Sequence, residues 1–85
     1  MTIEYNHPLV RRYRQGKDPR GIKASLELIN NWDEAVKKHA GYYGGLENVY
    51  QFYADKHGVS SMTVRNRTQG ILRLLNIQKH GGKTE

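Results

Sequence analysis

The sequence predicts an all-α fold, a small bundle of four to five short helices containing a helix-turn-helix. Three observations predict it. Apolar residues recur three and four apart through most of the chain, the period of a helix with one buried face. Glycine, asparagine and Asp-Pro punctuate that pattern at short intervals, so the helices are brief. No alternating stretch of useful length supports a strand; Val49–Tyr53 is the one competitor, and its flanks favour helix. The 85 residues allow one small domain. With 36% hydrophobic and 26% charged residues and a mean hydropathy of −0.84, its core is thin. A domain of this size buries only ~60% of its unfolded surface, so a partner or ligand is expected to add to its stability.

The elements follow in order. His7 to Gln15 reads as a short helix with Pro8 in its first turn, where a missing N–H costs nothing. Leu9, Val10 and Tyr13 form its apolar edge, and Gln15-Gly16-Lys17 ends it. Asp18-Pro19 is an N-cap followed by proline at the first helical position. Ile22, Leu26, Ile29 and Val36 then recur at helical spacing beside Ala24, Leu28 and Ala35, interrupted at Asn30-Asn31. Asn31 and Glu34 have capping-box spacing for a separate helix, Trp32 to Ala40, stopped by Gly41. After the Gly44-Gly45 loop, Leu46 to His57 puts Leu46, Val49, Tyr50, Tyr53 and Ala54 on one side. Gly58 suits a left-handed C-terminal residue because it has no Cβ. Ser60 or Ser61 caps a last helix over residues 61–75, with Val64, Ile71, Leu72 and Leu75 as its apolar stripe. The aromatic residues Trp32, Tyr42, Tyr43, Tyr50, Phe52 and Tyr53 are expected in the core rather than as base-stacking platforms. Residues 1–17 form a basic N-terminal arm or short helix, 18–77 the helix-turn-helix domain and 78–85 a flexible polar tail.

Charge is segregated along the chain. The formal net charge is +6. Residues 7–23 carry Arg11, Arg12, Arg14, Lys17, Arg20 and Lys23 against Asp18 alone. Residues 26–55 carry Glu27, Asp33, Glu34, Glu47 and Asp55 against Lys37 and Lys38. Residues 56–83 carry Lys56, Arg65, Arg67, Arg73, Lys79 and Lys83 without one acid. Two basic ends around an acidic middle point to a polyanionic partner met by one face. Other classes are excluded on chemistry. Zero cysteines rule out disulfides and thiolate metal sites. No apolar run approaches the ~18 residues of a membrane span, and no apolar signal segment follows Met1, so no membrane partner and a cytoplasmic, nucleoid-associated address are expected. His7, His39, His57 and His80 are scattered, Asp33-Glu34 is a helix-start charge pattern, and no glycine-rich phosphate loop follows a strand. No enzyme activity, metal or cofactor is expected.

The informative stretch is Val49 to Ile77, VYQFYADKHGVSSMTVRNRTQGILRLLNI. Two helices meet at a short turn containing glycine, the signature of a helix-turn-helix. Ala54 is small where the second helix crosses the first, Gly58 permits the tight turn, Val59 plugs it, and Val64 buries the inner face of the second helix. Ala, Gly and Val at these intervals before a hydroxyl-rich helix start form a fairly specific pattern.

Gly58-Val59-Ser60-Ser61-Met62-Thr63-Val64-Arg65-Asn66 resembles the helix-turn-helix of response-regulator effector domains of the LuxR/NarL type, whose pattern G-[IV]-S-x-x-T-V-[KR]-N is followed by I-L-x-x-L-[GN]-[IV]. The second part matches Ile71-Leu72-Arg73-Leu74-Leu75-Asn76-Ile77. Upstream, Gly21 to Gly45 bears a looser likeness to the effector domain of the sporulation master regulator. Unlike the LuxR/NarL type, this sequence is expected to have neither the helix after Ile77 that often dimerises there nor a receiver domain.

The resemblance and the residues imply one geometry, with the second helix in the major groove of double-stranded DNA. Ser60, Ser61 and Thr63 are short donors suited to phosphates at the rim. Asn66 suits adenine and Arg65 guanine, with Gln69 one turn further on. Lys56, Arg67 and Arg73 suit the phosphate backbone. Arg11, Arg12 and Arg14 form a separate basic cluster, either an arm to the minor groove or adjacent phosphates, or a solvated helix face. The expected function is sequence-specific DNA binding by a transcriptional regulator of plasmid or phage scale, with a homodimer on repeated half-sites as the expected form. The rivals are an architectural or accessory DNA-binding factor for plasmid transfer, replication or phage excision, and a protein-interaction module on the same scaffold.

Overall fold

In the computed structural model, which describes residues 2–40 and 45–77, five helices carry the chain: α1 (Pro8–Tyr13), α2 (Pro19–Asn30), α3 (Trp32–His39), α4 (Glu47–His57) and α5 (Ser61–Leu74). The protein is an all-α bundle. Among the described residues no helix is long and apolar enough to cross a membrane. Tyr42, Tyr43 and the tail from Gln78 lie outside the described residues.

The helix boundaries follow the local chemistry. His7 caps α1 by accepting the Leu9 N–H on Nδ1, with Pro8 in the first position. Asp18 caps α2 by accepting from the Arg20 N–H at 2.9 Å, again before a proline. Ser60, rather than Ser61, caps α5 through the Thr63 N–H at 3.1 Å. Gly58 ends α4 with φ +73°, the left-handed conformation for which a Cβ is penalised. The Asn31/Glu34 capping box does not form. Asn31 has φ −120° and ψ 31°, not the extended backbone a cap adopts, and makes no side-chain cap bond to α3. Its amide instead donates back to the Glu27 carbonyl at 2.9 Å, closing the end of α2. Helices α2 and α3 are therefore separated by that one residue.

Helix α2 is the wall shared by two apolar clusters. On one side Ala24 and Leu28 join Trp32, Ala35 and Val36 of α3, Val49, Tyr50, Tyr53 and Ala54 of α4, and Val64 of α5. Val59 plugs the turn against this cluster. On the other side Ile22, Leu26 and Ile29 meet Ile3, Val10 and Ile71. Trp32, Tyr50 and Tyr53 are core residues, as expected; Phe52 is not, standing 41% exposed. It stacks on His39 with ring centroids 3.8 Å apart, because its position on α4 falls outside the stripe facing α2.

Helix α5 is held on three sides, by α2, α4 and α1. Its seam with α2 carries a buried polar chain: Thr68 Oγ1 donates to Ser25 Oγ at 3.0 Å, and Ser25 Oγ donates to the Val64 carbonyl at 3.2 Å. Both side chains are fully buried, so each must be hydrogen-bonded. Close approach is permitted by Gly21, where a Cβ would stand 2.8 Å from Thr63 Cγ2. Gly70 serves α1 in the same way, since a Cβ there would stand 2.2 Å from the Tyr13 hydroxyl.

Candidate nucleic-acid interface

Which face of α5 is free follows from what the other helices cover. Val64, Thr68 and Ile71 point inward and are fully buried. Met62, Asn66, Gln69 and Arg73 recur at intervals of four, three and four on the opposite side, with Arg65 beside them, and all five are exposed. The turn before this helix, Gly58 to Ser60, lets α4 and α5 pack together at a short connection. Helix α5 has two arginines on its open face and no acidic residue anywhere. Helix α3, which carries Asp33 and Glu34 in its first turn, packs on α2 and α4 and does not touch α5.

The other anticipated residues are distributed unevenly around this face. Ser60 and Thr63 are engaged locally, the cap bond being joined by a 2.9 Å contact between their hydroxyls, and the Thr63 methyl lies on Gly21. Ser61 is half-buried on the border with α4. It shares with Tyr50, Met62 and Arg65 a groove of about 280 Å³, closed on the α4 side by Glu47, Asn48 and Gln51. Burial raises the Tyr50 phenol above its ordinary value, opposed by the Gln69 side chain and by the Arg65 charge. Gln69 and Arg65 thus both border a phenol that stays protonated at neutral pH. Arg67 is half-buried: its stem lies against Gly21, and its Nε is shielded from solvent without a hydrogen-bond partner.

Lys56 is ion-paired to Glu27 across the α2–α4 seam. His57 Nε2 lies 2.8 Å from the same carboxylate. Burial opposes ionisation of Glu27, but the bonds from Lys56 and His57 outweigh it and hold the carboxyl below its ordinary value. Lys56 thus pairs across the α2–α4 seam while its side chain stays half exposed.

The basic cluster near the N-terminus divides in two. Arg14 is drawn onto Tyr5, with its guanidinium 4.0 Å from the ring centroid and Nε donating to the Tyr5 carbonyl at 3.3 Å. Lys17 donates to the Tyr13 carbonyl at 2.8 Å. Asn30 completes the fastening of the first residues, exchanging two 2.8 Å bonds with the Ile3 backbone. Arg11 and Arg12 remain exposed and carry no ion pair among the described residues.

Two features, one on this surface and one beneath it, have no counterpart in the sequence motifs. Met62 is 59% exposed at the start of the α5 stripe; its spacing from Asn66 and Gln69 is the signal that could have marked it. The Ser25–Thr68 chain had no signal, since it joins residues 43 apart in sequence. Among the described residues no group of three His, Cys, Asp or Glu side chains could hold a metal ion. Comparison of the chain with protein-family models, with curated proteins and with solved structures finds no match.

Proposed function

We propose that this chain binds double-stranded DNA in a sequence-specific manner through the outward face of α5 and regulates transcription by doing so. The observation that carries the reading is the composition of that face: Arg65, Asn66, Gln69 and Arg73 in one exposed stripe, without an acid, on a helix fastened to the rest of the bundle along its inner side. A helix of side-chain diameter about 10–12 Å fits a major groove about 12 Å wide. In that position Arg65 pairs with guanine and Asn66 with adenine, each worth about 1–3 kcal/mol of discrimination. Met62 supplies an apolar contact of the kind that reads a thymine methyl. Arg73 grips a phosphate, which gives affinity without sequence information. Lys56 and Arg14 have no part in this reading, because Glu27 and Tyr5 hold them.

Selection from a random-sequence duplex library at two salt concentrations tests the proposal. A specific regulator enriches one motif that survives the higher salt, and a two-fold symmetric motif reveals a homodimer. The double variant Arg65→Ala, Asn66→Ala loses the motif while keeping its thermal transition. Uniform binding that collapses with salt reflects phosphate contacts alone and replaces the regulator by the architectural or accessory factor. No binding at either salt removes DNA as the partner and leaves a protein-interaction module.

A further inference from the structure

We infer that Arg12 of α1 is a second backbone-phosphate contact, set on the flank of α5 opposite α4, where it meets the strand bordering that side of the major groove. The inference rests on the DNA-binding reading of α5. The open stripe of α5, Asn66 to Arg73, has two borders. Ser61 and Arg65 mark the border with α4. Gly70 and Leu74 mark the other, where α1 sits: the Tyr13 hydroxyl covers Gly70, and Leu9, Arg12, Tyr13 and Leu74 line a groove of about 380 Å³. On a helix these two pairs fall on opposite sides of the stripe.

The cations near the N-terminus are not equivalent. Arg14 and Lys17 are held by Tyr5 and Tyr13, and Arg20 pairs with Asp18 at 2.8 Å. Arg11 and Arg12 are both exposed and follow each other in α1, so their side chains diverge by about 100°. Arg12 is the one that lines the groove with Leu74. A helix seated in the major groove has one strand's phosphates along each flank, and the guanidinium fork suits phosphate oxygens. Arg12 therefore reaches the strand remote from α4, while Arg11 points elsewhere.

The test compares Arg11→Ala with Arg12→Ala, which remove the same charge from adjacent positions. Binding of each full chain to a random-sequence duplex of about 30 base pairs, three helical turns, is followed by fluorescence anisotropy across a salt series. Loss of Arg12 lowers the log–log salt slope by about 0.9, the value for one phosphate contact. Over a fourfold rise in salt the natural chain then loses about 3.5-fold more affinity than the variant. Arg12→Lys keeps the slope, Arg11→Ala keeps it too, and the motif selected by Arg12→Ala is the natural one. Equal loss of slope from both alanine variants, or none from Arg12→Ala, overturns the inference and leaves the α5 reading standing. Absence of duplex binding by the natural chain overturns both.

Discussion

The buried hydroxyl chain between α2 and α5 makes the most quantitative prediction. Thr68 donates to Ser25, Ser25 donates to the Val64 carbonyl, and neither side chain is exposed. Ser25→Ala removes both bonds of the chain and strands the Thr68 hydroxyl. Part of that loss is recovered, because a helical threonine can turn its hydroxyl to the carbonyl four residues back, here the Val64 oxygen that Ser25 has vacated. One lost net bond together with imperfect satisfaction costs about 1.5 kcal/mol. Thr68→Val keeps the shape and leaves Ser25 still donating to Val64, for a cost of about 1 kcal/mol. The double variant leaves no stranded hydroxyl, and Val64 keeps its place in the α5 backbone ladder, so it also costs about 1 kcal/mol. The singles thus exceed the double by about 1.5 kcal/mol, far above the ~0.3–0.5 kcal/mol scatter of independent sites. Urea unfolding followed by Trp32 fluorescence measures all four proteins, since Trp32 is the sole tryptophan and is buried in the cluster between α2 and α4. Each kilocalorie corresponds to about 4–8 °C in a domain of this size. Additive costs would falsify the hydrogen-bonded chain. A change in DNA motif would refute the separation between the inner and outer faces of α5.

Four further outcomes follow from the same geometry. Ser60→Ala removes the α5 cap and costs about 1 kcal/mol in thermal unfolding, while Ser61→Ala costs much less, because only Ser60 caps. Gly58→Ala forces a Cβ into the left-handed conformation at φ +73° and costs about 1–2 kcal/mol by the same measurement. Gly70→Ala gains about 1 kcal/mol of helix propensity yet lowers the melting temperature, because its Cβ displaces Tyr13 and loosens α1; pairing it with Tyr13→Ala returns part of the loss. The Glu27 carboxyl is held below its ordinary value of 4.5, so its stabilisation is present above that value and is lost as pH falls through the lower folded-state value. Glu27→Gln therefore lowers stability at pH 7 and flattens the acid limb of the stability curve below about pH 4.5.

Local chemistry was legible wherever one residue or a near neighbour decides the outcome. The prolines at 8 and 19, the Asp18 cap, a serine cap at 60 or 61 and the left-handed Gly58 act within three residues, and each stands where its own chemistry puts it. Asn31 is ambiguous in sequence because the same side chain can serve either helix end, and in the structure its backbone angles and its bond to the Glu27 carbonyl put it at the end of α2. Phe52 departs from the expected core because helical spacing beside valine and tyrosine does not say how wide the buried stripe is. Within the candidate face, the spacing of Asn66, Gln69 and Arg73 was enough to align them. Spacing could not show that Lys56 meets Glu27, 29 residues away.

By itself the sequence determined a bundle of four to five short helices, where most of them begin and stop, the two basic ends, and an acid-free last helix. Those are properties of nearest neighbours, caps and composition. Only the tertiary structure decided which cations are spent. Arg14 lies on Tyr5 and Lys56 pairs with Glu27, whereas Arg11, Arg12, Arg65 and Arg73 stay open. A charge is occupied or free according to what lies within a few ångströms of it, and residues far apart in the chain supply those neighbours.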